Sequence, residues 1–337
     1  KKKIGDAAYN EIDSHAKKTA DAVHKELQSK GHTGNGVHIG DVHWTSNADK
    51  PGKPGDHEKT TGVKDVNSNA DLILTLHDKT GKKVGYHGIS AKYGSQEPNY
   101  RNPGLESMEK TAGLQQGSLK GLTDNHHKHM EKLGYNGSAD QRNIQYKIDK
   151  MDMDKARGEH AKYEGLLAQG KSLSKKNAIM HEHLGKFLQA HDGMKSDKQR
   201  QEFIQQAKSR AASAEASSLV AKTAVAKHVA EGLGKKSDEE LRQVIRDHVS
   251  APTHIPHTVA HSKVNNNGTS EAVVKSSHGI ADEHMGKVNN LHVVHQGISA
   301  VIRGTHSETG KPVRVATLTA KSSSGPHKGI VGAFGLK

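Results

Sequence analysis

Cysteine is absent from the 337 residues. That excludes disulfide frameworks and thiolate chemistry, and it fits an intracellular setting. Aromatic residues make up 3% of the chain and apolar residues 32%, both low for a globular protein. A core must therefore be built from Val, Ile, Leu and Ala, and part of the chain is expected to pack loosely. No run approaches the roughly 18 apolar residues of a membrane span, so no membrane partner is expected. The opening KKKIGDAAYNEI has no apolar stretch behind its lysines and does not read as a secretory signal. It also starts without Met, as a piece of a longer chain would.

Positive charge is what the chain has in excess. The formal net charge is +13, and 26 histidines add a reserve of protonatable groups with an ordinary pKa of ~6.5. Polyanions are the expected partners, with nucleic acid, DNA foremost, as the first candidate.

Residues 5–30 have helical spacing: Ala8, Ile12, Ala16, Ala20, Val23 and Leu27 recur at three and four residues as one apolar stripe. GHTGNG stops this helix, with Gly31 placed as its C-terminal cap. VHIGDVHW (37–44) reads as a strand, and residues 46–69 as a long polar loop. ADLILTLHDKTGKKVGYHGISAK then forms the clearest β-hairpin, with strands at 71–77 and 83–92 and a turn at DKTG where Gly81 supplies a positive φ. From about 105 to 250 the spacing is helical, and Ser237 with Glu240 makes a capping box. Beyond SAPTHIP, β character returns in TVAHSKV, LHVVHQG, SAVIRGTH and PVRVATLTAK. The expectation is an α/β (α+β) fold, a mixed central sheet with flanking helices. Residues 1–104 would form the first part of its core, 105–250 a helical insert, and 251–337 a β-rich part completing it.

Residues 77–92, HDKTGKKVGYHGISAK, align without a gap on 306–321, HSETGKPVRVATLTAK. Two hairpins with one turn type would give this echo, and so would a duplication. The same offset sets Asp71 against Ala300, so only the first hairpin keeps an acid.

Strand side chains alternate with period two, so Ser90 and Lys92 share a face, as do Asp71, Ile73 and Thr75. A turn centred near 81–82 sets Asp71 opposite Lys92, and opposed residues point to the same side. An acid beside a lysine in a basic chain suits metal-assisted phosphodiester hydrolysis. The carboxylate holds Mg²⁺ (or Mn²⁺) through oxygen. The metal polarises the phosphate and acidifies a bound water, and the lysine stabilises developing charge. A solvated strand face would carry the same residues.

NADLIL followed by GISAK resembles the PD-(D/E)XK nuclease superfamily, whose pattern is an acid on one strand and an acidic or polar residue, any residue and a lysine on the next. The resemblance covers about 70–105 well and 1–45 loosely. It implies Asp71 as metal ligand, Ser90 at the usually acidic position, Lys92 as catalytic lysine, the Ala91 backbone carbonyl facing the metal, and a helix acid, Glu11 or Glu26. Serine departs from the pattern, and Asp41 of IGDVHW is the candidate for the missing charge. The wider combination of GDVHWTSN, SNADLIL, GISAKYG and NPG is similar to phage-encoded proteins, which implies the host cytoplasm or a virion as the setting.

Two competing functions follow from the residues. A non-catalytic DNA-binding or phage structural protein could keep the same fold, as Ser90 suggests. A histidine-rich metal-binding protein would use His126, His127 and His129, or His181, Glu182 and His183. HExxH spacing is absent from the second cluster, since Gly185 stands four residues after His181 and Phe187 four after His183. ETGKP lacks the GxxxxGK[ST] frame of a phosphate-binding loop.

Overall fold

A computed structural model describes residues 6–44, 70–94, 99–249, 255–264, 270–322 and 329–337. The polar stretch 46–69 lies outside the described residues. The chain opens with α1 (Asp6–Ser29), β1 (His38–Trp44), β2 (Leu72–His77), β3 (Lys83–Gly94) and the short β4 (Asn99–Arg101). Seven helices follow: α2 (Leu105–Ala112), α3 (Ser118–Lys132), α4 (Ala139–Asp149), α5 (Met153–Ala168), α6 (Lys175–Asp192), α7 (Asp197–Leu233) and α8 (Asp238–Val249). The last part holds β5 (His257–Val264), β6 (Ser270–Ser276), α9 (Ser277–Met285), β7 (Val288–Gln296), β8 (Ser299–His306), β9 (Pro312–Ser322) and β10 (Ile330–Leu336). The fold class is α+β, as expected.

Helix α1 ends as its sequence predicts. Gly31 adopts φ +70°, and the His32 N–H donates to the Leu27 carbonyl. Val23 and Leu27 from its apolar stripe are buried against Leu74, Ile89 and Ala260. The expected capping box at α8 is present: the Glu240 N–H donates to Ser237 Oγ at 3.3 Å, and the Ser237 N–H to Glu240 Oε2 at 2.8 Å.

The first sheet has the order β1-β2-β3-β5-β6. All its neighbours are antiparallel except β3 and β5, which run parallel. A parallel neighbour needs a crossover, and here the crossover contains β4 and the whole helical stretch. The second sheet is antiparallel, β4-β10-β9-β8-β7. The C-terminal part therefore divides: β5 and β6 complete the first sheet, while β7–β10 build a second one with β4 from the N-terminal part.

The helical stretch divides too. The second half of α7, with α8 and α9, packs on the second sheet around Val229, Leu233, Ile245, Ile302, Leu318 and Phe334. The first half of α7 joins α4, α5 and α6 around Ile148, Leu184, Phe187 and Ala207. Alanines do much of the close packing that aromatics would do elsewhere: Ala211, Ala214, Ala221, Ala226 and Ala230 of α7 are all buried. At Gly232 the approach is closer still, since a Cβ there would lie 2.4 Å from the Ala112 carbonyl oxygen.

The two hairpins that echo each other in sequence occupy different sheets. Gly81 and Gly310 both turn with positive φ, +80° and +65°. The backbone closures differ: Asp78 N–H donates to the Lys82 carbonyl, whereas His306 N–H donates to the Lys311 carbonyl, one residue further on. Thr319, the counterpart of Ser90, pairs with Ser299, hydrogen-bonding it at 2.8 Å, and with Ala333, so neither strand partner is an acid.

Candidate active site

The β2–β3 hairpin pairs Leu72 with Ile89 and Ile73 with Gly88. Continued by one residue, this register sets Asp71 opposite Ser90 rather than Lys92, and the Asp71 N–H donates to the Ile89 carbonyl at 2.7 Å. The expected register was two residues out. The reason is local: the turn is centred on Thr80, and the register shifts between Leu76 and His77. A slip of two preserves the face of every side chain, where a slip of one would reverse it. Asp71, Ser90 and Lys92 therefore still converge.

The convergence is centred on one carboxylate oxygen. Asp71 Oδ2 accepts the Ala91 N–H at 2.8 Å and the Ser90 hydroxyl at 3.4 Å, and it stands 3.9 Å from Lys92 Nζ. Ser90 is 1% exposed, while the Asp71 and Lys92 side chains are 41% and 22% exposed. The carboxylate is thus anchored from the sheet and open to solvent. Along an extended strand a residue's N–H and C=O point to the same edge. Ala91 donates toward Asp71, so its carbonyl is directed to that edge as well.

The remaining candidates are placed elsewhere. Helix α1 packs through Val23 and Leu27 on the Leu74 and Ile89 face, opposite to the face of Ser90 and Lys92, so Glu26 is across the sheet from them. Glu11 lies on α1, and its side chain is outside the described residues. Asp41 sits at a bulge in β1, where its N–H donates to Thr75 Oγ1 at 2.7 Å. Thr75 is four residues along β2 from Asp71, about 13 Å at the strand rise. Asp41 therefore cannot replace the charge that Ser90 lacks.

No local signal in the sequence announces what lies beside this cluster. Strand β5 runs parallel to β3 and pairs Val259 with Ser90 and His261 with Lys92, which puts Val259 and His261 on the same face. Both line a cavity of about 500 Å³ between the first sheet, α9 and the second sheet. Five cationic side chains line it, Lys263, Lys275, Lys287, Arg314 and Lys337, against one carboxylate, Glu283. Lys275 pairs with Glu283, and Lys287 pairs with Glu308 at 3.1 Å. The cations come from β5, β6 and β9, from the turn between α9 and β7 and from the residue after β10, so no charge run in the sequence announces them.

The same face of the first sheet continues into hydrophobic packing at Val259 and Ile280. The opposite face buries His87 (1% exposed), whose Nε2 lies 2.7 Å from Thr258 Oγ1 and whose ring is 4.8 Å from that of His32. Burial, reinforced by His32 and then His257, pushes the His87 imidazole down to about 3.

The histidine clusters read from sequence do not assemble. His126 hydrogen-bonds Ser217 at 2.9 Å and His129 bonds Ser213 at 3.0 Å. His183 meets Gln145, and Glu182 pairs with Lys186 at 2.6 Å. No helix among the described residues is long and apolar enough to cross a membrane. No protein-family model, curated protein or solved structure matches the chain.

Proposed function

We propose that the chain is a metal-dependent nuclease that hydrolyses phosphodiester bonds of DNA, with Asp71, Ala91 and Lys92 at its centre. The observation that carries this reading is the meeting of an anchored, half-open carboxylate with a lysine 3.9 Å away, next to a cavity lined by five cations. The likeness of NADLIL and GISAK to the PD-(D/E)XK pattern supports the same reading.

The oxygen donors suit a hard cation. Asp71 and the Ala91 carbonyl would hold Mg²⁺ or Mn²⁺, and a site with a single carboxylate leaves the ion several water ligands. Such an ion supplies Lewis-acid activation of the phosphate and an acidified water. The chain's own groups do the rest. The Ala91 N–H and the Ser90 hydroxyl fix the rotamer of Asp71. Lys92 presents positive charge where the pentacoordinate phosphate gains negative charge. Lys263, Arg314 and Lys337 attract and align the flanking phosphodiesters, so binding should weaken steeply with salt.

Ser90 favours a second reading, a DNA-binding or phage structural protein that has kept the fold without the chemistry. A buried neutral hydroxyl stands where a second carboxylate would strengthen the metal site. Plasmid cleavage in Mg²⁺, Mn²⁺ and EDTA separates the two. Metal-dependent cutting lost in Asp71→Asn selects the nuclease, and DNA binding without cutting or Mg²⁺ affinity selects the alternative.

A further inference from the structure

We propose that His160, Glu164 and His181 form a binding site for one Zn²⁺ ion between α5 and α6, independent of the Asp71 cluster. His160 and Glu164 are one turn apart on α5, and His181 faces them from α6. One ligand atom from each residue lies within 4.8 Å of the other two. Glu164 Oε1 is hydrogen-bonded by His181 Nε2 and stands 3.9 Å from His160 Nε2. The two imidazole rings are stacked, with centroids 4.7 Å apart and planes 20° from parallel.

Tetrahedral Zn²⁺ with Zn–N and Zn–O bonds of ~2.0–2.2 Å holds its ligand atoms ~3.4 Å apart. Binding the ion requires the two rings to swing out of their stack, so that the Nε2 lone pairs, which lie in the ring planes, converge on one point. The helix backbone already makes room: a Cβ at Gly185 of α6 would lie 3.2 Å from His160 Nε2, so the glycine leaves space for that imidazole. A mid-helix glycine is less favourable than alanine, and here the vacated volume is taken by the His160 ring. Two imidazoles and one carboxylate suit Zn²⁺ and not Mg²⁺, which prefers an all-oxygen shell. The Glu164 side chain is 56% exposed and the histidines 22–25%, so the ion has an entry path and keeps one coordination position for water. Beneath the site, Tyr163, Leu184 and Phe187 are buried together, which fixes the two helices that present the ligands.

The test is a Co²⁺ and Zn²⁺ titration of the full chain after metal removal. One equivalent should bind more tightly than the remaining histidines do, give the visible absorption of tetrahedral Co²⁺, and be displaced by one equivalent of Zn²⁺. His160→Gln and His181→Gln should each weaken that equivalent by about 100-fold or more, since even outer-shell changes cost 10–100-fold. His127→Gln should leave it unchanged. Glu164→Gln alters an exposed side chain, so it carries the test if a histidine variant fails to fold, and it too should weaken binding. Parent-like affinity and stoichiometry in these variants, or no tight equivalent in the parent, would overturn the proposal. DNA cleavage plays no part in this readout.

Discussion

Acidification should destabilise the first sheet through a single side chain, His87. The residue is buried on β3 with its pKa pushed down to about 3, whereas in the unfolded chain it takes a proton near its ordinary 6.5. The sign follows from linkage. Above pH ~6.5 both states hold the neutral ring and nothing is lost. Between ~6.5 and about 3 only the unfolded state binds the proton, so stability falls by about 1.4 kcal/mol per pH unit. The full loss approaches 5 kcal/mol, comparable with the whole stability of a small domain. The assay is urea unfolding of the parent and of His87→Leu from pH 7 to pH 4.5, followed by circular dichroism. The variant forfeits the Thr258 hydrogen bond at every pH, so the comparison is of slopes. From pH 6.5 to 4.5 the parent should lose about 2.5 kcal/mol more than the variant. Equal slopes would refute the reasoning and mean that His87 takes up its proton in the folded state without penalty.

Other side chains yield further expectations. Glu109 is 2% exposed and accepts the Gly117 and Leu119 N–H groups at 2.9 and 2.7 Å at the start of α3; Glu109→Ala orphans both donors and should cost about 2–3 kcal/mol in chemical denaturation. Asp149 is buried and held by Tyr135 at 2.8 Å and by two nitrogens of Arg210 at 3.0 and 3.2 Å; Arg210→Ala should cost about 3 kcal/mol by leaving the carboxylate under-compensated, measured in the same way. Gly232→Ala should lower the unfolding midpoint by the equivalent of about 1–3 kcal/mol, because its Cβ must push α7 away from α2. Replacing Arg314 and Lys337 by Gln should weaken DNA binding and flatten its dependence on salt by about two units of log–log slope, read by fluorescence anisotropy.

Local chemistry made much of this fold legible, and the limits are equally physical. The β2–β3 hairpin is written into alternation and a turn glycine, so its strands fall within two residues of expectation. Its register depended on the turn's centre and on an irregularity at His77, which composition does not encode; face assignment survived because the error was an even number. The parallel approach of β5 to β3 had no local signal, because it joins segments separated by the entire helical stretch. That pairing brings His261 beside Lys92 and creates the basic cavity, so the cluster could be read from sequence while its surroundings could not. Likewise, His160 and Glu164 announce themselves by helical spacing, but the third ligand depends on how α6 packs against α5. The clusters at 126–129 and 181–183 were prominent as letters, yet helical rotation turned their members toward separate partners.

The most direct measurement is cleavage of supercoiled plasmid by the purified full chain in Mg²⁺, Mn²⁺ and EDTA, with Asp71→Asn and Lys92→Ala run beside it. The account predicts cutting that requires the metal, is abolished in both variants and leaves their folding intact by circular dichroism. Metal-dependent cutting of equal rate in parent and variants would contradict the site, and no cutting by the parent with either metal would contradict the function.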